Sequence, residues 1–282
     1  MTRPVRHHFI PQMIIRNFVD EHGWVHGWDQ ERPARGVFRS RPENVFFEKH
    51  LYSLFDRDGA LVPAAETDLS RLEGVVGPII QKLIQAARSR TLPMLSPDER
   101  AWWDLFFFIQ WKRVPEQQRS SMTDGALMAM FDATTARLLR THPERRAEIE
   151  ALAMPEKRAQ MLKNVRVGAL INPGTQVPEV LASRGLALLI IPNAKRSFLL
   201  GSRPVVKMNI RGASSLTDER SEVWLPIAPD VAVGPGRRDH WEQGFALTEA
   251  KPIRELNEAT WTQSSTVIGR SPALVRAIAS RR

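Results

Sequence analysis

Five of the seven histidines fall in the first fifty residues, among carboxylates, amides and arginines. Arg6-His7-His8-Phe9-Ile10-Pro11-Gln12 is followed by Arg16-Asn17-Phe18, then by Asn44, Glu48, His50 and Tyr52. An imidazole beside a carboxylate supplies a general base or a pair of metal ligands near neutral pH. Adjacent histidines on an extended chain face opposite ways, so His7 and His8 share one metal only if the backbone bends, and Ile10-Pro11 is where a bend would fall. Asn44 and Glu48, four apart, are neighbours on a helix and well separated on a strand. The pattern is weaker than His-Glu-x-x-His, whose helical spacing alone puts two ligands on one face. Two readings stand: one histidine is a buried hydrogen-bonding core residue and the other exposed, or at least one does catalytic or ligand work.

A second constellation is Gln110-Trp111-Lys112-Arg113-Val114-Pro115, with Arg119 beyond it. Gln110 and Arg113 share a face at the C-terminal end of an apolar helix, and a buried arginine needs a partner, which Glu48, Glu66 or Glu73 would supply. In the structural reading that ion pair locks the helix to the N-terminal β segment. In the functional reading Arg113 and Gln110 face a cleft with His8 and Glu48 and polarise an anionic substrate such as phosphate.

The elements that position these residues follow from periodicity. Residues 1–65 read as mainly β: Trp24, His26 and Trp28 alternate with Val25 and Gly27, further strands are expected near 45–47 and 51–55, and a short helix from Pro11 to Phe18. Apolar residues then recur at three and four over 66–90, with a kink expected at Gly77-Pro78. Ser96, Pro97 and Glu99 form a capping-box start for a helix to about Val114. Its Trp102, Trp103, Leu105, Phe106, Phe107, Phe108, Ile109 and Trp111 place it in the core rather than on a base-stacking surface. More polar helices are expected over 116–140 and 144–164. Strands follow near 185–191, 197–200, 204–208, 222–225 and 231–233, then helices near 253–264 and 272–281. The order predicts an α+β fold: a short N-terminal β segment, a central helical bundle around a buried Trp/Phe-rich helix, and a C-terminal β segment with terminal helices. One domain over 1–282 is expected, with sub-regions 1–65, 66–165 and 166–282.

Composition narrows the function classes. The absence of cysteine excludes disulfides, thiolate zinc, iron–sulfur clusters and a cysteine nucleophile. The start lacks an apolar signal segment and no apolar run approaches the roughly 20 residues that cross a bilayer, so a cytoplasmic protein without membrane insertion is expected. Forty Lys and Arg against thirty-one Asp and Glu give +9. The excess is diffuse and C-terminal: nine basic against eight acidic residues in 1–65, fifteen against thirteen in 66–165, and sixteen against ten in 166–282. Thirty-two of the basic residues are arginine, which suits phosphate or reflects genome composition. No Walker loop, dinucleotide fingerprint or Gly-x-Ser-x-Gly elbow occurs. Gly234-Pro235-Gly236-Arg237-Arg238 reads as a turn before it reads as a phosphate site.

The segments His7-His8-Phe9-Ile10-Pro11-Gln12-Met13-Ile14-Ile15-Arg16-Asn17-Phe18, Pro42-x-Asn44-Val45-x-x-Glu48-x-x-Leu51-Tyr52 and Gln110-x-x-Arg113-x-Pro115 resemble an uncharacterised bacterial family of unknown function. Its members open with a His-His-aromatic-x-Pro-x motif. The resemblance runs through most of the chain. Glu66 and Glu73 are similar to acidic positions in the family's long helix, and Leu225-Pro226-Ile227-Ala228-Pro229-Asp230 to its Leu-Pro-x-Ser/Ala-Pro stretch. Where the family usually has Thr/Ser-Ser-Asp-x-Pro, this chain has Gly201-Ser202-Arg203-Pro204, so an acid is missing there. The resemblance implies a family and site positions but no reaction.

The leading expectation is a metal-dependent nuclease. His8 would be base or ligand, His7 a ligand or its support, Glu48 ligand or base, and Arg113 a transition-state clamp. Gln12, Asn44, Tyr52, Gln110 and Arg119 would bind substrate, and Mg2+ or Mn2+ would sit on His8 and Glu48. The rival expectation is a non-catalytic binding module for nucleic acid or protein, with the His-His-Phe-x-Pro-Gln motif as a structural clasp. Convergence of these groups in an open cleft favours the first; buried, mutually satisfied pairs favour the second.

Overall fold

The computed structural model describes residues 6–121, 123–171, 176–208, 218, 220–236 and 243–281. The chain is α+β, and it divides into two compact units interleaved in sequence: 1–7, 48–71 and 115–173 form one, and 8–47, 72–114 and 174–282 the other.

The first unit is mostly helical. The helices Pro115–Ser121, Asp124–Thr141, Arg146–Leu152 and Pro155–Ile171 accompany the small hairpin Leu54–Phe55/Leu61–Val62. Asp56 sets the hairpin turn by accepting the N–H groups of Asp58 and Ala60, the local competition by which aspartate favours turns. Asn164 then clamps Phe55 in both directions, accepting its N–H and donating to its carbonyl. The expected helix over 116–140 is two helices. Thr123 caps the second by accepting the Ala126 N–H, a start signal that interrupts an otherwise continuous period. The helix expected over 144–164 is likewise divided, because Pro155 opens a new helix that continues to Ile171.

The second unit carries two sheets. The five-stranded sheet has the order Gln243–Ala246, Leu186–Ile190, Val231–Pro235, Val223–Ala228, Val206–Lys207, antiparallel except for its first pair. Leu186–Ile190 is buried at every position. The four-stranded sheet has the order Phe38–Ser40, Val25–Asp29, Thr266–Gly269, Leu200–Gly201, all antiparallel. The expected alternation holds in Val25–Asp29, where Val25, Gly27 and Asp29 are buried and His26 and Trp28 only half-buried. A Cβ on Gly234 would collide with the Val223 carbonyl and the Trp224 ring, so close approach of two strands requires glycine there.

The Pro97–Lys112 helix begins with the expected capping box, Ser96 accepting from Glu99 N–H and Glu99 from Ser96 N–H. Trp103, Phe106, Phe107, Phe108 and Ile109 are buried, while Trp102, a turn nearer the helix start than Phe106, is 40% exposed. The Ala64–Ser89 helix runs unbroken through Pro78. Before the first strand of the five-stranded sheet stands a helix the periodicity did not reveal, Gln176–Ala182. Arg100 holds its end, donating to the Leu181 and Arg184 carbonyls while its Nε meets both oxygens of Asp104. Burial pushes the Asp104 carboxyl up, and Arg100 opposes that shift. The C-terminal β segment therefore starts near 185 rather than 166. No described helix is long and apolar enough to cross a membrane.

Candidate functional site

The division between units falls inside the N-terminal motif, between His7 and His8. In the first unit His7 is fully buried. Its Nδ1 accepts the Tyr52 N–H at 2.9 Å, its ring stacks on Tyr52 at 5.8 Å and 12°, and the His50 ring meets it edge-on at 6.5 Å. A nitrogen that accepts an N–H carries no proton, so in this arrangement the ring proton is on Nε2. Glu66 lies 3.9 Å from Nδ1, too far for a hydrogen bond. Tyr52, expected to bind substrate, is instead fully buried as the ring beneath His7. Glu48 is half-buried and Arg119 exposed, and Arg119 Nη2 reaches both Glu48 oxygens at 3.1 and 3.2 Å.

In the second unit Arg113 is the centre. Its side chain is 2% exposed, with Nη1 donating to Glu73 Oε1 at 2.7 Å and Nη2 donating to the His8 carbonyl. Gln110, also fully buried, donates to the Phe9 carbonyl at 2.8 Å. The Pro97–Lys112 helix and its cap residue are thus bound to consecutive carbonyls of the motif, as the structural reading anticipates, with Glu73 the partner. Gln12 links His8 Nδ1, at 3.4 Å, with Arg16, whose Nη2 donates to Gln12 Oε1 at 2.5 Å. Asn44 is exposed in the turn Pro42–Asn44. Phe46 adopts φ 54°, a left-handed conformation uncommon for a bulky residue, and its ring packs against Phe9 at 5.8 Å.

Among the described residues His8 Nε2 and Gln110 Oε1 are buried without a hydrogen-bond partner. Burial is the main cause that pushes the His8 imidazole below its ordinary value; Arg113 and Arg16 add to this, and the Glu43 carbonyl and the Glu73 carboxylate oppose it. A lowered histidine value means the unfolded chain binds the proton first. His8 therefore contributes its full stability above about pH 6.5, and loses it as pH falls from there through the lower folded value. His8→Gln is expected to lose less stability than the unsubstituted protein between pH 7.5 and 5, read by urea unfolding at both values; equal losses would remove His8 from the account.

The first unit also holds a cleft in which two residues the sequence singled out, Glu48 and Arg119, join basic residues it did not, Lys49, Lys163 and Arg166. Glu48 and Arg119 line a cleft of about 360 Å³ with Lys49, Lys163, Arg166 and Asp124. Four cations thus face two carboxylates, and each carboxylate is already engaged, Glu48 by Arg119 and Asp124 by Arg166. Lys49 and Lys163 have no carboxylate partner among the described residues. Lys163 lies over the Phe55 ring, 5.6 Å from its centroid, and burial holds its ammonium below the usual lysine value.

The expected metal pair does not assemble within a unit. His8 belongs to one unit and Glu48 to the other, and among the described residues no three His, Asp or Glu side chains are gathered to hold an ion. Arg237 and Arg238 of the Gly234 segment lie outside the described residues.

Fold and site together define an α+β protein in which buried Arg113 and Gln110 hold the N-terminal motif and the first unit carries a cationic cleft. Residues 6–269 match a family described as a protein of unknown function, DUF4238, and the chain belongs to it. Neither the curated proteins nor the solved structures provide a match.

Proposed function

We propose that this chain is a binding protein for phosphate esters, with the cleft of Glu48, Lys49, Arg119 and Lys163 as its site and the His7–Gln12 segment as a structural clasp. The observation that carries the reading is the pair of lysines, Lys49 and Lys163, lining the cleft without carboxylate partners among the described residues. Lys163, half removed from water, gains from an arriving anion what it lost on burial, and phosphate offers several oxygens to the guanidinium and ammonium groups at once. Single-stranded DNA and RNA are the first ligands to test. Lys163→Gln is expected to weaken binding and to reduce the slope of log K against log salt by about 0.7, the loss of one phosphate contact on a single strand. Binding that is unchanged by Lys163→Gln, or independent of salt, would overturn the site.

A hydrolytic reading retains one observation in its favour, the buried and unpartnered His8 Nε2 on a ring held neutral at pH 7. A neutral imidazole is the form a general base needs. The same preparations, incubated with Mg2+, Mn2+ or chelator, test it: cleavage lost with both chelator and His8→Gln would replace the binding reading by a nuclease.

A further inference from the structure

The Pro155–Ile171 helix has two different walls. Lys163 and Arg166 line the cationic cleft, whereas Met161 and Val165 line a second cavity of about 240 Å³ with Leu127, Met130, Phe131 and Leu152. At 100° per residue Leu162 falls between those two directions, and it lines both cavities, so they adjoin. Met130 is 67% exposed, Val165 48% and Leu152 45%. Apolar side chains grouped in a hollow and left in water mark a binding surface more often than chance exposure does. The feature that selects an occupant is charge: the groove adjoins the cleft lined by Lys49 and Lys163, which have no carboxylate partner among the described residues. A concave groove between helices takes one chain rather than the flat face of a bilayer.

We propose that cleft and groove form one site for a monomeric single-chain amphiphile, with an anionic phosphate head beside Lys163 and an alkyl chain along Met130 and Val165. The head-group half rests on the phosphate-ester reading above; the chain half rests on the groove alone. Calorimetric titration of the purified full chain with butyl, octyl and decyl phosphate, all below their critical micelle concentrations, separates the two. Affinity is expected to rise with chain length, up to about fourfold for each fully buried methylene. Met130→Gln and Val165→Gln, neutral substitutions at exposed positions that a folded chain tolerates, should each flatten the rise in affinity from butyl to decyl phosphate. Lys163→Gln should weaken all three phosphates by the same factor. Equal affinity for butyl and decyl phosphate would overturn the groove and leave the cleft reading standing. Absence of binding to any phosphate would overturn both. Equally tight decyltrimethylammonium would overturn the anionic head, and binding only to phosphatidylglycerol vesicles would overturn the monomeric ligand.

Discussion

Arg113→Met is expected to destabilise the protein by about 3–5 kcal/mol, because removing one partner of a buried ion pair strands the other without water or counter-charge. The Arg113 guanidinium is almost fully buried between Glu73 and the His8 carbonyl. Methionine fills much of the volume and returns neither bond, leaving a carboxylate only 27% exposed and a motif carbonyl without its donor. The double substitution Arg113→Met with Glu73→Leu should recover most of the loss, since well-packed apolar pairs often match the ion pair they replace. Urea unfolding of the two variants measures both effects. The alternative role, a clamp on a transition state, requires the opposite outcome: a fold of unchanged stability with activity gone. Phosphate binding by whatever fraction remains folded should be unaffected by Arg113→Met, because the cleft residues belong to the other unit.

His7→Ala is the second large expectation, a loss of about 3 kcal/mol. The substitution opens a cavity under Tyr52 and leaves the buried Tyr52 N–H without its acceptor, and an orphaned buried donor alone costs about 1–3 kcal/mol. His7→Asn separates these contributions. Its Oδ1 can occupy the place of Nδ1 and accept the same N–H, so about 1 kcal/mol or more should return while the lost ring stacking does not. Thermal and urea unfolding of the pair report the difference. If Asn and Ala are equally destabilising, the Tyr52 bond is not what fixes His7.

Much of the scaffold was legible because its signals are local. The Ser96 capping box, the three-and-four apolar period over 66–90 and the alternation at Val25–Asp29 each rest on neighbours in sequence. Two-residue strands such as Leu200–Gly201 and Val206–Lys207 have no period to read, and Thr266–Gly269 is a strand because Val25–Asp29 and Leu200–Gly201 flank it. The structural reading of Gln110 and Arg113 was legible for the same reason: a buried arginine at a helix end demands an acid, and Glu73 was among the few on offer. The cationic cleft was not legible, since Lys49, Arg119 and Lys163 come from three distant stretches without any basic run. Of its lining, Glu48 and Arg119 were singled out in the sequence, whereas Lys163 and Arg166 offer only a three-residue spacing on one helix face. The division of His8 and Glu48 between two units was not legible either, because sequence proximity to a common motif says nothing of which compact unit each residue joins.

The interleaving of the units has a consequence for how the protein is made. Once residue 173 has emerged from the ribosome, every segment of the first unit has been synthesised, and that unit can fold while translation continues. The second unit cannot close: Val25–Asp29, among the earliest strands made, needs Thr266–Gly269, among the last. At about 5–20 residues per second that strand waits on the order of ten seconds or more with an unpaired edge. Its near neighbour Phe38–Ser40 is the sole described strand that pairs with it meanwhile. Translation speed over the last hundred codons, and chaperones that shield strand edges, therefore govern the yield of this protein more than they would for one whose sheets close in chain order.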